Sequence, residues 1–377
     1  MEFRGLQLLR VRGIRILIDY SWFIVFFLVI YTMAEGYFPQ TQQSHTTAQY
    51  WLMGLIAAVL LFASVLLHEI AHSLVALRHG VEVKSIRLFI FGGIAQIGSE
   101  PKSGRHEFLI ALAGPATSMA LAFGFGMAYA ALWFTGRYGS VAAVAGYLSS
   151  ANFILALFNM IPGFPLDGGR ILRAILWDRW NDMGRATKLV SRMGNALALS
   201  LIVVGVVQFF LSQSIVAGLW LIFIGLFMKQ AAAGSYQAVV LRESLAGVRI
   251  SQIMTENVVS VDWLTSLEEL VQDYIYKHQF THFPVTDRGE VVGMVALSQV
   301  KSVPRELWAF KQVRDIMTPI EQVPRLSPSD DASEALTRMV TEDAGRMPVM
   351  EEGRMIGIVS RRDILNLFKI KSDLNAR

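Results

Sequence analysis

The chain has 377 residues, of which 53% are hydrophobic and only 17% charged, against about a quarter charged in a typical soluble protein. That balance excludes an ordinary soluble domain and points to a membrane protein. The net charge of +4 is spread through short loops rather than gathered in one patch, which argues for membrane topology and against nucleic-acid partners; the lack of cysteine excludes disulfides and thiolate metal ligands.

Arg4, Arg10, Arg12 and Arg15 precede the first apolar run, but Tyr37, Phe38 and Pro39 follow it in place of a small-residue cleavage site. It therefore reads as a retained span rather than a signal peptide. Six segments, near 16–34, 51–77, 107–134, 141–166, 187–211 and 215–240, are long and apolar enough for a bilayer core, which takes about 20 helical residues. Lys and Arg alternate between the loops. Four arginines precede the first span and none lies in 35–50; Lys84, Arg87, Lys102 and Arg105 lie in 79–106 and only Arg137 in 135–140; Arg170, Arg173, Arg179 and Arg185 lie in 167–186 and none in 212–214. Positive loops face the cytoplasm, so the expectation is a multi-pass protein of the cell membrane, embedded in the lipid bilayer, with both termini cytoplasmic.

The second span carries His68-Glu69-Ile70-Ala71-His72. On a helix, positions i and i+4 share a face, so both imidazoles can reach one zinc while Glu69 flanks it as a proton acceptor. Ionisable residues inside a span are costly enough to indicate function. After this span, Ser85 to Ile97 is rich in β-branched and aromatic residues around Gly92-Gly93 and reads as a β-hairpin. Two placements are open for it, on the surface or dipping into the membrane to offer a strand edge. Ala111-Leu112-Ala113-Gly114-Pro115-Ala116 opens the third span and reads as close helix packing rather than chemistry.

A hydrolytic zinc site uses three protein ligands and keeps a fourth position open. The other histidines, His45, His79, His106, His278 and His282, fall outside the span or in the tail, so a carboxylate is the better third ligand. Asp167 follows the fourth span, which Pro162, Gly163 and Pro165 interrupt near its end; such breaks are tolerated at membrane depth where the freed backbone lines a cavity or is buried in protein. The second and fourth spans run in the same direction, which brings Asp167 to the cytoplasmic depth of His68 and His72.

The tail repeats itself at an offset of 63 or 64 residues. Ile253-Met254-Thr255 recurs as Ile316-Met317-Thr318, His282-Phe283-Pro284-Val285 as Arg346-Met347-Pro348-Val349, and Val292-Gly293-Met294-Val295 as Ile356-Gly357-Ile358-Val359. Two copies of a small α/β unit are expected, each with a helical middle (267–277, 332–341) before two short strands.

Taken together, these motifs resemble the site-2 protease family of intramembrane zinc metalloproteases, in the form with six spans and a C-terminal pair of cystathionine-β-synthase (CBS) domains. The resemblance covers nearly the whole chain. It implies an α-helical polytopic membrane domain with a small β-hairpin at 1–244, then a soluble α/β tandem CBS pair at 245–310 and 311–377. It implies one Zn2+ per chain held by His68, His72 and Asp167, with Glu69 as general base. Asn159 is implied to hold the substrate backbone or oxyanion, and Gly92-Gly93 to lie near the substrate, a membrane-spanning protein cut near the cytoplasmic end of its span in regulated intramembrane proteolysis. Many relatives carry a PDZ domain between their spans, for which this chain has no room.

The CBS resemblance implies an adenine nucleotide such as ATP as regulator. Gly357-Ile358-Val359-Ser360-Arg361-Arg362-Asp363 meets the family's nucleotide signature, with Ser360 for phosphate and Asp363 for ribose, whereas the first copy has Ala296 and Gln299 at those positions. A purely structural pair that builds a homodimer is the alternative. At the level of the whole chain the alternative function is a CBS-gated channel or transporter, which inward charges along several spans would favour; here the ionisable groups concentrate at one metal-like site. A catalytically silent scaffold would be expected to lack one of the four key residues, and none is missing.

Overall fold

The computed structural model describes residues 5–41, 45–90, 92–97, 101–137, 139–211 and 215–375; Phe91, inside the expected hairpin, lies outside them. The chain divides between residues 239 and 240 into two compact units.

The first unit opens with strands β1 (Gly5–Val11) and β2 (Ile14–Asp19), joined by Arg12 and Gly13, both at positive φ. Ile14, Ile16 and Ile18 alternate along β2 and are all buried, the period of a strand with one covered face. Asp19 then accepts a hydrogen bond from the Ser21 amide and caps the first span. That span, Tyr20–Thr41, consists of α1 (Tyr20–Tyr31), a π-helical turn at Thr32–Tyr37, and α2 (Phe38–Thr41). Helix α3 (Thr47–Arg78) starts at a capping box between Thr46 and Gln49. Strand β3 (Val83–Phe89) follows, pairing in parallel with β2 and antiparallel with β4 (Gly92–Ile97). The sheet order is β1-β2-β3-β4, which leaves β4 at an edge. The remaining helices are α4 (Gly104–Phe134), α5 (Ser140–Asn159), α6 (Asp167–Trp180), α7 (Met183–Leu211) and α8 (Ile215–Leu245).

Among the described residues, six helices are long and apolar enough to cross a membrane. They pack through small residues such as Ala57, Ala111, Ala156 and Ala198, while Phe27, Phe123 and Phe210 point outward. Small inside and large outside suits lipid, where close backbone approach rather than hydrophobic burial holds helices together. Three boundaries differ from the hydropathy reading. Residues 14–19, assigned in part to the first span, form a strand. The fourth span stops at Asn159 rather than 166, because Pro162 and Pro165 cannot continue a hydrogen-bonded helix. The arginine-bearing segment after it is not a loop but α6, whose buried Ile171 and Ala174 give it a core-facing side. The expected hairpin is half of the four-stranded sheet.

In the second unit, β5 (Val261–Asp262), β6 (His282–Asp287), β7 (Glu290–Ala296) and β8 (Thr318–Pro319) form one sheet and β9 (Arg346–Glu351) with β10 (Arg354–Ser360) another. Around them lie α9 (Leu267–Glu269), continued by a π turn to Tyr276, α10 (Leu297–Lys301), α11 (Ala332–Thr341) and α12 (Arg361–Asn375). The two Ile-Met-Thr segments are exchanged. Thr318 pairs with Met294 of the first copy and Thr255 bridges Ile358 of the second. Leu245, Val248 and Ile250 likewise fill the core of the second copy, and Val313 that of the first.

Asp331 fastens this exchange. Its carboxylate caps α11 through Ser333 and accepts the Gly247 amide at 2.7 Å. Burial pushes the Asp331 pKa up, but the hydrogen bonds from Ser333 and Gly247 outweigh it and hold the carboxyl below its ordinary range. Its folded pKa is depressed, so its contribution is full above about pH 4 and lost as the pH falls through the folded value. Asp331→Ala should lower the stability of this unit by about 1 kcal/mol at neutral pH, a difference that thermal unfolding should find narrowed in acid.

Candidate functional site

Helix α3 presents His68 and His72 one turn apart on its buried face, at 3% and 5% exposure. Each is oriented through Nδ1. His68 Nδ1 lies 2.9 Å from Ser118 Oγ, and His72 Nδ1 donates to the Ile110 carbonyl at 2.6 Å. Both orienting groups belong to α4. The Ile110 carbonyl can only accept, so the neutral His72 ring carries its proton on Nδ1 and turns the Nε2 lone pair toward Asp167 and His68. The two Nε2 atoms lie 3.2 Å apart and 3.1 and 3.2 Å from Asp167 Oδ2. Asp167 stands at the first position of α6, where an acidic side chain is favoured by the helix dipole.

Helix α6 is fastened to α4 by a buried ion pair. Glu107, with no exposed side-chain surface, accepts Arg173 Nε at 2.9 and 3.1 Å and its terminal nitrogen as well. Arg173 also lies over the Phe164 ring, 5.1 Å from its centroid.

The site opens into a cavity of about 540 Å³ lined by His68, Glu69, His72, Gly92, Gly93, Asn159, Asp167 and Arg170. Two backbones press into it where only glycine fits. A Cβ on Gly114 would stand 2.2 Å from His72 Nε2 and 2.5 Å from His68 Nε2, and one on Gly93 would stand 2.3 Å from Glu69 Cγ. Gly114 thus keeps clear the volume on which the three ligand atoms converge. Two imidazole nitrogens, one carboxylate oxygen and an open side toward a cavity are the donor set of a hydrolytic zinc site, so these residues fit that metal.

All seven candidate residues in the membrane unit therefore face one cavity. Ser360 and Asp363 are also together, but they are engaged with each other. The Ser360 amide and hydroxyl donate to Asp363 Oδ2 at 2.8 and 2.7 Å, and the Asp363 amide donates to Ser360 Oγ at 3.2 Å, which caps α12. The segment 111–116 does more than pack, since Gly114 walls the site. Ser118, Glu107 and Arg173 are additions that the sequence reading did not single out. Glu107 could have been found as a carboxylate at the edge of a span, whereas Ser118 carries no local signal.

Matches to peptidase family M50 cover residues 56–137 and 135–201, and matches to the CBS domain cover 250–305 and 313–370. The chain is 36% identical over 363 residues to the zinc metalloprotease Rip3 of Mycobacterium tuberculosis, covering 96% of this chain and 92% of that one. The chain belongs to peptidase family M50. This M50 peptidase is also 33% identical over 317 residues to a zinc metalloprotease of Methanocaldococcus jannaschii, covering 83% and 84% of the two chains. The solved site-2 protease from that organism is 30% identical, with a TM-score of 0.43 over 62% of this chain and 95% of that one. The M50 chain is a multi-pass zinc metalloprotease of the site-2 protease type that carries a CBS pair.

Proposed function

We propose that this M50 peptidase hydrolyses a peptide bond near the cytoplasmic end of a membrane-spanning substrate, with His68, His72 and Asp167 as zinc ligands and Glu69 as general base. The observation that carries the reading is the convergence of two imidazole Nε2 atoms and one carboxylate oxygen within 3.2 Å of one another beside Glu69. Bound zinc supplies the Lewis acidity that makes water nucleophilic near neutral pH. Glu69 takes the proton of the attacking water and passes it to the leaving amide nitrogen as the C–N bond breaks. Strand β4 supports an extended substrate, since its outer edge is unpaired within the sheet and its Gly93 backbone lies against Glu69. Asn159, at the end of α5 in the same cavity, serves the substrate backbone.

The alternation of Lys and Arg between loops supports cytoplasmic termini, and the catalytic groups, in the last three turns of α3, then lie toward the cytoplasm. Removing the third ligand tests the assignment. Asp167→Ala should leave purified enzyme with little bound zinc; metal content and cleavage equal to the parent would remove Asp167 from the site. Ser118→Ala, which frees His68 Nδ1, should weaken zinc about 10–100-fold without abolishing it.

For the tail we propose control by an adenine nucleotide that bears on release of a cytoplasmic fragment, and self-association of the pair. The Gly357–Asp363 signature supports the nucleotide, and binding would have to open or share the Ser360–Asp363 cap. Calorimetry of the whole enzyme with ATP, ADP and AMP tests it. An absence of heat with all three would leave the pair as an assembly module.

A further inference from the structure

The cluster that fastens α6 has more positive than negative charge. Glu107 brings one carboxylate, and Arg170 and Arg173 bring two guanidinium groups. Arg173 takes up the carboxylate through its direct hydrogen bonds. Arg170 Nε remains 4.0 Å from Glu107 Oε1, too long for a hydrogen bond, and its side chain is one of those lining the catalytic cavity. Asp167 and Arg170 are i and i+3 on α6 and so share a face. A half-buried cation one turn from Asp167, on the wall of the cavity and without a direct hydrogen bond to Glu107, calls for a role there.

We propose that Arg170 is a catalytic residue of this peptidase, contacting the oxyanion that forms on the scissile carbonyl; the assignment rests on the peptidase reading of the site. When the water oxygen adds to the carbonyl carbon, its proton goes to Glu69 and the negative charge gathers on the former carbonyl oxygen. That charge disappears when the C–N bond breaks and the nitrogen takes the proton from Glu69. A guanidinium that the fold already holds at the cavity wall stabilises that charge without having to reorganise, and a single preorganised donor of this kind is worth about 10²–10³ in kcat. Arg170 differs in this from Arg173, whose donors are committed to Glu107 and whose face lies on Phe164.

The test uses full-length enzyme in lipid vesicles, with a single-span reporter protein carrying Gly-Pro near the cytoplasmic end of its span. Arg170→Gln should keep about one zinc per chain, lose about 10²-fold in kcat and leave KM within about threefold. Arg170→Lys, which keeps the charge but not the fork, should recover part of the loss. A phosphinic peptide, whose tetrahedral phosphorus carries the oxyanion, should lose affinity for Arg170→Gln in step with kcat, whereas the matching amide peptide should not. Unchanged kcat in Arg170→Gln, a loss confined to KM, or a loss explained by missing zinc would each overturn the assignment. Parent enzyme that holds zinc but neither cleaves the reporter nor binds the phosphinic peptide would instead overturn the peptidase reading itself.

Discussion

Glu69→Gln is expected to keep about one zinc per chain and to slow cleavage by about 10²–10⁴-fold. The carboxylate that accepts the proton is gone, while His68, His72 and Asp167 are unaltered and remain fixed by Ser118, Ile110 and α6. The amide fits the same space against Gly93, so neither the β4 edge nor the cavity needs to shift. Metal analysis beside initial rates separates base from ligand. A variant that lost both zinc and activity would show Glu69 to be part of the metal site, and one that kept both would remove it from the chemistry. In cells, the same variant should cause uncut membrane proteins to accumulate, and quantitative proteomics of the membrane fraction would then name the substrate.

Gly114→Ala should abolish zinc binding in a protein that still folds. The added methyl would have to occupy space 2.2 and 2.5 Å from the two Nε2 atoms, and α4 cannot retreat without giving up the Ser118 and Ile110 contacts that orient both histidines. Gly124→Ala, on the same helix with open space around it, is the control and should behave as the parent. Gly93→Ala should separate the two functions in the opposite sense, keeping zinc while displacing Glu69 and losing cleavage. Normal zinc content in Gly114→Ala would mean that the wall of the site is not where the backbone places it.

The cluster of His68, His72 and Asp167 was legible in the sequence because its signals are local or topological. His68 and His72 are one helical turn apart in an otherwise apolar run, and Asp167 follows from counting which way each span crosses. Long-range contacts were not legible. Nothing adjacent to Ser118 announces that its hydroxyl meets His68, fifty residues away, and Glu107 meets Arg173 only because α6 is a helix. Averaged hydropathy and loop counting each misread one segment for a physical reason. The buried face of β2, Ile14, Ile16 and Ile18, merges with the apolar run of α1 when averaged, although its period is two. The arginines of α6 read as loop charge because loop counting ignores period, whereas Ile171 and Ala174 sit three apart on its buried face. In the tail, Ser360 and Asp363 satisfy a nucleotide signature and a helix cap with the same atoms, an ambiguity inherent in a serine followed three residues later by an acid.

The most direct measurement is the cut itself. Purified enzyme reconstituted in lipid vesicles with a single-span reporter, analysed by mass spectrometry of the products with zinc bound, after chelation and after zinc is restored, should give one or a few cleavages in the cytoplasmic third of the span that vanish on chelation and return with the metal. Cleavage confined to segments outside the membrane, or cleavage that persists unchanged in metal-free Asp167→Ala, would contradict an intramembrane peptidase built on His68, His72 and Asp167.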